Sequence, residues 1–575
     1  ALDQRDGLKT AGFISGYRGS PLGALDQELW RQQNLLQSHD IHFEPGINED
    51  LAATAIWGTQ LIDYYRADAT RDGVFGMWYG KGHGVDRTGD VFRQANIQGT
   101  AQHGGVLAVA GDDHSAESSM FAHETDQIFE AAIMPVLFPS SVEEYLWLGL
   151  AGIALSRFCG LWVGFKTITD TVESGATICV PELPTFVTPE IDRPAHGFNY
   201  DVELKWPSQR QLYENRMIEE RAPAAHAFVY ANKIDREVIR SKHRKLGIVS
   251  AGKAHADLME ALRMLGITQQ MLVDNGISLY KVGMTWPLEP RGIREFAQGL
   301  ESILVIEEKR PQLEKQIKEQ LYNWPSDRRP MIYGKLGPSG EQLLPEVFVF
   351  TPKQVISALA TWLAQEPLGD YIARQVKQEN TRPIEVQTGA IREPFFCSGC
   401  PHNTSTRIPE GSVAGAGIGC HVLAVGKGRN TETVTHMGGE GVQWVGLHRF
   451  SDRPHIFQNL GDGTYQHSGI LAIRQAVVSN INITYKILFN DAVAMTGGQP
   501  TEGAPTPQMI ARQVLAEGVK EAVIVTDDVS RYDQVELNAL GVGVHDRKYL
   551  AQVQTRLRDV AGVSVIIYEQ TCAAE

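Results

Sequence analysis

One short motif, Gly461-Asp462-Gly463, carries the strongest chemical signal in the sequence. Asn490 stands directly after the apolar run 483–489, and 26 residues separate Gly463 from Asn490. A strand, a helix and a second parallel strand fill a connection of that length, so Asp462 and Asn490 are predicted to lie at neighbouring carboxyl ends of one sheet. Their carboxylate and amide oxygens are ligands that Mg²⁺ prefers in proteins. Alone, such a motif is most often an ordinary turn, but the spacing and the strand context favour a metal site.

Cysteines form a second candidate site. Cys397 and Cys400 make a Cys-x-x-Cys pair, and Cys420 follows after 19 intervening residues. Three thiolates in the loops of one domain suit a metal cluster that needs a fourth ligand, and Cys572, just past the apolar run 563–568, is the remaining cysteine there. A zinc site and buried cysteines without a ligand are the alternatives. The other two cysteines, at positions 159 and 179, are predicted to be core residues of the first domain.

The elements that must position these residues alternate regularly. Short β-branched runs are separated by segments of helical periodicity, at residues 106–110, 135–138, 247–250, 303–306, 483–489, 522–526 and 563–568. This alternation predicts an α/β protein whose parallel sheets are flanked by helices. Polar, helix-rich stretches without strand character cover about 205–245 and 363–392. We therefore predict three parallel-sheet domains, at residues 1–235, 240–365 and 385–575.

Length and composition agree with a folded, multidomain protein. The 575 residues exceed one hydrophobic core, and 43% hydrophobic and 21% charged residues argue against a disordered chain. The net charge of −15 argues against nucleic acid and anionic lipid as partners. The longest apolar stretch, 145–155, is too short to span a membrane and is predicted to be a buried helix.

The sequence also carries signals about location and completeness. Six cysteines are too few for a disulfide scaffold and no signal peptide opens the chain, so a cytoplasmic location is expected. The chain starts at Ala1 without a Met and ends soon after a strand-like run, so we expect material to be missing at both ends.

The chain resembles the thiamine-diphosphate-dependent 2-oxoacid:ferredoxin oxidoreductases, specifically the indolepyruvate ferredoxin oxidoreductase branch. The resemblance rests on motifs that occur in the family's order, at residues 14–21, 48–49, 80–84, 281–288, 306–308, 397–402, 417–421, 461–464 and 494–500. Each is weak alone, but jointly they are specific and cover the chain essentially end to end. The resemblance implies a pyrimidine-binding domain, a transketolase C-terminal-like domain and a diphosphate-binding domain, in that order.

The same resemblance implies cofactors and their ligands. Thiamine diphosphate and Mg²⁺ are expected between the domain that carries Glu49 and the domain that carries Asp462. The implied metal ligands are the Asp462 and Asn490 side chains and the Ala492 carbonyl. The implied cofactor-binding residues are Gly461, Asp462, Gly463, Thr464, Asn490, Ala492 and Thr496. Cys397, Cys400, Cys420 and Cys572 are implied to hold one [4Fe–4S] cluster.

Three further residues are catalytic candidates. Glu49 is implied to bond N1′ of the aminopyrimidine, although a glutamate at the start of an Ala-rich helix often serves only the helix dipole. Arg18 departs from the family's Gly-Tyr-Pro-like turn, and either clamps a carboxylate bidentately or faces solvent from a loop. His467 follows Asp462 closely and either acts as an acid or base or is a structural imidazole.

The resemblance implies oxidative decarboxylation of a 2-oxoacid, with indolepyruvate or another arylpyruvate as the substrate. Electrons would pass from a thiamine enamine through iron–sulfur clusters to ferredoxin, and coenzyme A would take the acyl group. Because no ferredoxin-type Cys-x-x-Cys-x-x-Cys run is present, a further iron–sulfur and gamma-type segment or subunit is expected, within a homo-oligomer such as a dimer. A non-redox thiamine-dependent decarboxylase or carboligase is the alternative, and a non-catalytic scaffold subunit is a third hypothesis.

Overall fold

The computed structural model describes residues 2–179, 182–205, 207–379 and 394–573. The chain divides into two compact units, Ala1–Val386 and Gln387–Glu575. The described residues form three β-sheets, two in the first unit and one in the second. Helices alternate with the strands along the chain, so the predicted α/β class is confirmed.

Two sheets make up the framework of the first unit. Its strands are β1 (Thr10–Gly16), β2 (Ile41–Phe43), β3 (Gly73–Lys81), β4 (Val106–Asp112), β5 (Val136–Leu137), β6 (Val163–Ile168), β7 (Arg236–Ile239), β8 (Leu246–Ala251), β9 (Ile277–Val282), β10 (Met284–Trp286), β11 (Ser302–Ile306) and β12 (Met331–Tyr333). The first sheet has the order β10-β5-β6-β4-β3-β1-β2, and the second has the order β12-β11-β8-β9-β7. All pairs are parallel except β10 with β5 and β7 with β9.

Helices of the first unit connect these strands. They are α1 (Leu2–Arg5), α2 (Leu25–Arg31), α3 (Gln33–Ser38), α4 (Glu49–Thr59), α5 (Gly82–Gln98), α6 (Asp126–Ala131), α7 (Val142–Cys159), α8 (Thr169–Val172), α9 (Arg210–Asn215), α10 (Ala222–Ala231), α11 (Gly252–Met264), α12 (Gln269–Asp274), α13 (Pro290–Ala297), α14 (Leu313–Leu321), α15 (Pro352–Trp362) and α16 (Pro367–Glu379). A π-helical segment, Arg216–Arg221, joins α9 to α10.

The second unit contains one seven-stranded sheet. Its strands are β13 (Ala414–Ala416), β14 (Thr431–Val434), β15 (Ile456–Gly461), β16 (Ile483–Phe489), β17 (Glu521–Thr526), β18 (Gly543–Asp546) and β19 (Val563–Glu569). The order is β14-β13-β15-β16-β19-β17-β18, and all its pairs are parallel. The helices are α17 (His402–Ser405), α18 (Val442–Leu447), α19 (Asp462–Thr464), α20 (Ile470–Val478), α21 (Pro507–Ala516), α22 (Gln534–Ala539) and α23 (Leu550–Arg558).

Burial explains why the strands could be recognised from the sequence. All seven residues of β4 and all seven of β16 are buried, because helices cover both faces of a parallel sheet and the strands become continuous apolar runs. Each of the seven runs predicted as a strand lies on a strand of the structure. The apolar stretch 145–155 lies on α7, which confirms the predicted helix, but only one face of it is buried, since Leu146 and Leu150 are exposed.

Other predictions need correction. The stretch 205–245 was predicted to lack strands, but β7 lies within it as an antiparallel edge strand, where partly exposed faces permit polar residues. Cys159 is buried as predicted, whereas Cys179 is exposed in the irregular segment that follows α8. The predicted linker 363–392 is helical up to residue 379, and its remainder lies outside the described residues. The three predicted domain boundaries stay a prediction.

No helix within the described ranges combines the length and the apolar character that crossing a membrane requires.

Candidate functional site

The third sheet has a crevice where its strand order reverses. The chain leaves β13 toward β14 on one side and then returns to β15 on the other side. Open parallel sheets bind ligands outside the carboxyl ends of the strands at such a switch point. The loop 417–419 follows β13, and the Gly461-Asp462-Gly463 motif ends β15. Both segments therefore flank the position at which a ligand of this sheet is expected.

Asp462 is held against the end of the neighbouring strand β16. Its Oδ2 atom accepts the main-chain N–H groups of Asn490 at 3.0 Å and Asp491 at 2.9 Å, and its Oδ1 atom accepts that of Gly463 at 2.9 Å. Asp491 has a φ of 61°, a left-handed conformation that Asp tolerates better than most residues. The predicted adjacency of Asp462 and Asn490 is confirmed, while their roles as metal ligands stay a prediction.

The Asp462 carboxyl is buried without a compensating cation. It is 4% exposed, and burial raises its pKa to about 6, although main-chain N–H groups of the Asn490 turn and of Gly463 oppose the rise. No cationic side chain of the described residues contributes to this shift. A buried carboxylate needs a positive partner. The oxygen donors at this strand end, a carboxylate and an amide beside main-chain carbonyls, fit a Mg²⁺ ion that arrives with a ligand.

The neighbouring candidates fall into two groups. The Ala492 N–H donates to Asn490 Oδ1 at 3.3 Å, which closes the turn after β16. The Thr464 hydroxyl donates to the carbonyl of Ile418 at 2.9 Å and so ties the motif to the loop after β13. Thr496 hydrogen-bonds only within the turn 493–499 in the described structure. The structure thus brings Asp462, Asn490, Ala492 and Thr464 together, but does not join Thr496 to them.

His467 lies in the π-helical turn Tyr465–Gly469, which directly follows α19. Its side chain is buried, with 4% exposure, and ring atom Nδ1 lies 2.6 Å from the Ser468 hydroxyl oxygen. The imidazole is thus packed in a polar setting close to the motif. An acid or base role for His467 stays a prediction.

The sequence reasoning missed Glu440. In the structure this residue is fully buried after β14, and its side chain lies against Gly417 at the end of β13. The Gly438 N–H donates to Glu440 Oε2 at 2.8 Å. A signal was present, because Gly439-Glu440-Gly441 repeats the pattern of an acidic residue between two glycines that marked residues 461–463.

The four candidate cysteines share one electrostatic environment. Burial raises the pKa of the Cys420 thiol to about 11, and the charges of Cys400, Cys572 and Cys397 add to the rise. Burial also raises the pKa of Cys400, and Cys397 and Cys572 contribute again. Cys572, which lies 152 positions further along the chain, therefore contributes to the raised pKa of Cys420.

Backbone geometry agrees with this grouping. A Cβ atom on Gly399 would lie 3.8 Å from the Cβ atom of Ala573, so the loop 397–400 runs beside the residue that follows Cys572. Within the described ranges, no group of three or more His, Cys, Asp or Glu side chains is arranged to hold a metal ion. Four thiols are the donor set of an iron–sulfur cluster, but as placed they do not form a ready-made site.

Glu49 occupies the corresponding strand-end region of the first sheet. Helix α4 begins at Glu49, and the capping hydrogen bond comes from Asn48, whose side chain accepts the Leu51 N–H at 3.0 Å. The Trp78 indole N–H donates to the Glu49 carbonyl at 3.0 Å. A Cβ atom on Gly84 would lie 2.8 Å from Glu49 Oε1, so the carboxyl packs against the glycine-rich start of α5. Glu49 is 7% exposed, and its catalytic role stays a prediction.

Arg18 is a buried residue of the first unit. It is 4% exposed, and its Nε atom lies 3.5 Å from Asp26 Oδ2. The guanidinium also lies over the rings of Tyr17 and Trp30, at 5.8 and 5.5 Å from their centroids. The alternative of a loop arginine that faces solvent is therefore wrong. The sequence could not show this, because the buried partner Asp26 lies on a separate element, α2.

Comparisons with known proteins find similarity to indolepyruvate oxidoreductases. The indolepyruvate oxidoreductase domain family matches residues 236–382. Indolepyruvate oxidoreductase subunit IorA of Pyrococcus abyssi is 27% identical over 590 residues, covering 98% of this chain and 83% of that protein. The same subunit of Pyrococcus horikoshii is 25% identical over 605 residues, with coverage of 98% and 83%. That of Methanothermobacter marburgensis is 24% identical over 578 residues, with coverage of 98% and 84%.

A solved structure, the 2-oxoglutarate:ferredoxin oxidoreductase from Magnetococcus marinus, is similar with a TM-score of 0.41 and 13% identity. The similarity covers 64% of this chain and 62% of that chain. The sequence matches extend over nearly the whole chain and agree with the domain match and with the collinear motifs. The chain is therefore similar to indolepyruvate oxidoreductase subunits over nearly its whole length, and its residues 236–382 match the indolepyruvate oxidoreductase domain.

Proposed function

We propose that this protein catalyses the oxidative decarboxylation of 2-oxoacids with thiamine diphosphate and Mg²⁺. The observation that carries the proposal is the buried Asp462 carboxyl beside Asn490 at the switch point, whose raised pKa no cationic side chain of the described residues lowers. When bound, thiamine diphosphate supplies a carbon nucleophile for the 2-oxoacid carbonyl and accepts the electron pair released with CO₂. Asp462, Asn490 and the Ala492 carbonyl hold the Mg²⁺ ion, and Thr464 fixes the motif against the loop after β13.

Glu49 is proposed as the carboxyl that hydrogen-bonds N1′ of the aminopyrimidine. The Glu49 carboxyl is buried against Gly84, which fixes its position. A carboxyl in a fixed position can hold a proton at one defined oxygen, and this supports the proposed role. Glu49→Gln should bind the cofactor with wild-type affinity but exchange the C2 proton of the cofactor about 100-fold more slowly, measured by NMR.

Asp50 offers a matched control for this test. It is the next residue of the same helical turn and pairs with Arg87 at 3.3 Å. Asp50→Asn should leave C2 exchange unchanged. Near-normal exchange in Glu49→Gln would remove Glu49 from the catalytic role without affecting the metal assignment.

Arg18 and His467 are proposed to act on the substrate. A buried guanidinium can bind a 2-oxoacid carboxylate bidentately if Asp26 shares it, and a buried imidazole can hold or release a proton. Arg18→Met should raise KM for the 2-oxoacid more than it lowers kcat, while His467→Gln should lower kcat. The reverse pattern in steady-state kinetics would contradict both assignments.

Cys397, Cys400, Cys420 and Cys572 are proposed to hold a [4Fe–4S] cluster that receives the electrons. Their shared electrostatic environment supports this grouping. Anaerobically purified protein should be brown and carry about four irons per chain, and Cys400→Ser should lose that iron. Cys159→Ser is the control, because Cys159 is buried in the first unit and lies outside the quartet.

The indolepyruvate oxidoreductase subunits to which the chain is similar support indolepyruvate or another arylpyruvate as the substrate. Coenzyme A as acyl acceptor and ferredoxin as electron acceptor are proposed with it, because the sequence motifs resemble the 2-oxoacid:ferredoxin oxidoreductases. A further iron–sulfur and gamma-type segment or subunit and a homodimer complete the proposal. An anaerobic assay with several 2-oxoacids and a viologen dye, with and without coenzyme A, tests it. A clear preference for pyruvate or 2-oxoglutarate would defeat the arylpyruvate assignment alone.

A non-redox thiamine-dependent decarboxylase or carboligase remains the second candidate. The observation that favours it is that the cysteines, within the described part of the chain, are not arranged as a ready-made metal site. Such an enzyme would use Glu49, Asp462 and Asn490 but need no iron. Iron analysis of anaerobic protein distinguishes the two, because the absence of iron with intact thiamine diphosphate binding supports only the non-redox reaction.

A further inference from the structure

Glu440 is a buried carboxyl group that uses only one of its two oxygens. The residue is 0% exposed, and Oε2 accepts the Gly438 N–H at 2.8 Å. Oε1 has no hydrogen-bond partner among the described residues. A buried polar atom without a partner costs about 1–3 kcal/mol. Such an atom in a native structure therefore calls for a water or a ligand that would satisfy it.

The position of this oxygen points to a ligand at the switch point. A Cβ atom on Gly417 would lie 2.4 Å from Glu440 Cγ and 2.6 Å from Oε1, so the carboxyl occupies the space that a glycine leaves open after β13. The next residue, Ile418, accepts the Thr464 hydroxyl of the Gly-Asp-Gly motif through its carbonyl. Glu440 therefore contacts Gly417, the residue directly before Ile418, and the hydrogen bond from Thr464 to Ile418 links the two sides of the crevice.

The electrostatic surroundings favour the neutral form of this group. Burial raises the pKa of Glu440 to about 7, while the main-chain N–H groups of Glu440 itself, Gly438 and Ile418 oppose the rise. No cationic side chain of the described residues contributes to this shift. In a neutral carboxyl whose Oε2 accepts a hydrogen bond, Oε1 carries the proton and is a donor. Enzymes use neutral buried carboxylic acids in this way to donate to a negatively charged oxygen.

We propose that Glu440 is a further ligand-binding residue of this site, which donates a hydrogen bond from Oε1 to an anionic oxygen of the bound ligand. The inference rests on the proposed function, since that function supplies the ligand. The anionic oxygen belongs either to the diphosphate of the cofactor or to the carboxylate of the 2-oxoacid. Gly438 sets the orientation of the carboxyl through Oε2, and Gly417 provides the space for it.

Two substitutions separate the donor from the rest of the side chain. Glu440→Gln keeps a donor and an acceptor in the same shape, and Glu440→Met removes both at similar length. Calorimetry with thiamine diphosphate and MgCl₂ measures cofactor affinity and so tests for a contact between Glu440 and the diphosphate. Indolelactate has the carboxylate but no keto group, and its affinity for cofactor-loaded protein tests for a contact between Glu440 and the carboxylate. Glu440→Met should weaken one of these ligands roughly 10- to 100-fold, and Glu440→Gln should stay within about 3-fold of wild type.

The probe whose affinity falls in Glu440→Met identifies the source of the anionic oxygen. Equal binding of both probes by Glu440→Met and wild type overturns the proposal. Equal weakening by Gln and Met shows that the side chain acts as an anion, and overturns the donor role. If wild-type protein fails to bind thiamine diphosphate with Mg²⁺, the proposed function itself is wrong, which is a different outcome from a Glu440 variant that binds normally.

Two further variants exclude an effect of folding alone. Tyr485 donates its hydroxyl proton to the main-chain carbonyl of Glu440 at 2.9 Å, so Tyr485→Phe loosens the loop without touching the carboxyl. It should lower the melting temperature but leave both affinities unchanged, and a loss of affinity equal to that of Glu440→Met would overturn the proposal. If Glu440→Met does not fold, Gly417→Ala displaces the intact carboxyl. Gly417→Ala should then bind the same probe more weakly, and an unchanged affinity of this variant would also overturn the proposal.

Discussion

Two carboxylates at the ends of parallel strands have opposite environments in this protein. Glu308 follows β11 in the first unit, where Oε2 lies 2.9 Å from His114 Nδ1 and Oε1 lies 3.0 Å from Lys253 Nζ. Burial alone would raise the pKa of Glu308, but these two partners lower it to about 2. Asp462 at the end of β15 has only main-chain N–H partners among the described residues, and burial raises its pKa to about 6.

The difference shows which strand end is complete without a ligand. A buried charge is stable when it is paired, as Glu308 is, and costs free energy when it is not. At the end of β11 the charge of Glu308 is paired within the protein. The third sheet has two buried acids, Asp462 at the end of β15 and Glu440 against the end of β13, and no cationic side chain of the described residues shifts the pKa of either. This difference supports the proposal that the third sheet binds a charged ligand.

The largest expected effect concerns Asp462, in the sheet that is proposed to bind the ligand. Asp462→Ala should abolish Mg²⁺-dependent binding of thiamine diphosphate, a loss of at least about 100-fold, because a metal ligand is removed and even outer residues of a metal site cost that much. Isothermal titration calorimetry measures it. Glu308→Gln is the matched control and should bind the cofactor with wild-type affinity. Wild-type affinity in Asp462→Ala would show that the site is elsewhere.

The second prediction concerns the end of β11, where Glu308 is paired with Lys253. Lys253 contacts Asp257 at 2.7 Å as well as Glu308, so Lys253→Met removes the cation that the two acids share and leaves Glu308 with His114 alone. Unfolding of the first unit in urea should require about 3–5 kcal/mol less free energy. Cofactor affinity should not change. The double variant Lys253→Met with Glu308→Gln should recover part of the loss, and full additivity of the two single losses would contradict a coupled pair.

The third prediction uses pH, because the two environments give stability opposite slopes. The folded pKa of Glu440, about 7, lies above the ordinary value of 4.5, so the folded state holds the proton more tightly. Its contribution to stability is therefore present at low pH and is lost as the pH rises from about 4.5 to 7. For Glu308 the folded pKa is lower, so its contribution is lost as the pH falls from 4.5 toward about 2.

Glu440→Gln tests this prediction directly. Relative to wild type, the variant should gain on the order of 2–3 kcal/mol between pH 5 and pH 8 in the free energy of unfolding of the second unit. Denaturant titrations at several pH values measure the difference. Parallel pH profiles for the variant and wild type would show that Glu440 is charged in the folded protein.

The smallest expected effect sharpens the comparison within the third sheet. Thr464→Val removes the hydrogen bond between the motif after β15 and the Ile418 carbonyl after β13, which contributes about 1 kcal/mol. Thiamine diphosphate affinity should therefore fall only about 5-fold. Thr496→Val is the control, because Thr496 bonds within its own turn, and its cofactor affinity should change less. An equal loss in both would mean that the two sides of the crevice are not linked through Thr464.

Much of the fold and part of the site could be predicted from the sequence. The β16 run Ile483–Phe489 was predicted with its observed bounds, because a strand buried on both faces must be apolar throughout. The adjacency of Asp462 and Asn490 followed from the length of one strand–helix–strand connection. The edge strands β7 and β10 were among those missed, since strands of four and three residues are too short to show an apolar pattern.

The sequence by itself determined the chemistry that this protein carries: the acidic residues between glycines, the spacing to Asn490, the four cysteines and the motifs of its family. These depend on residue type and local distance along the chain, which a sequence states directly. Only the tertiary structure decided which charges are paired. Arg18 is buried with Asp26 and Glu308 with Lys253, whereas no cationic side chain of the described residues shifts the pKa of Asp462, because pairing depends on which elements pack together. Burial then sets the cost of each unpaired charge, and that cost indicates where the ligand is needed.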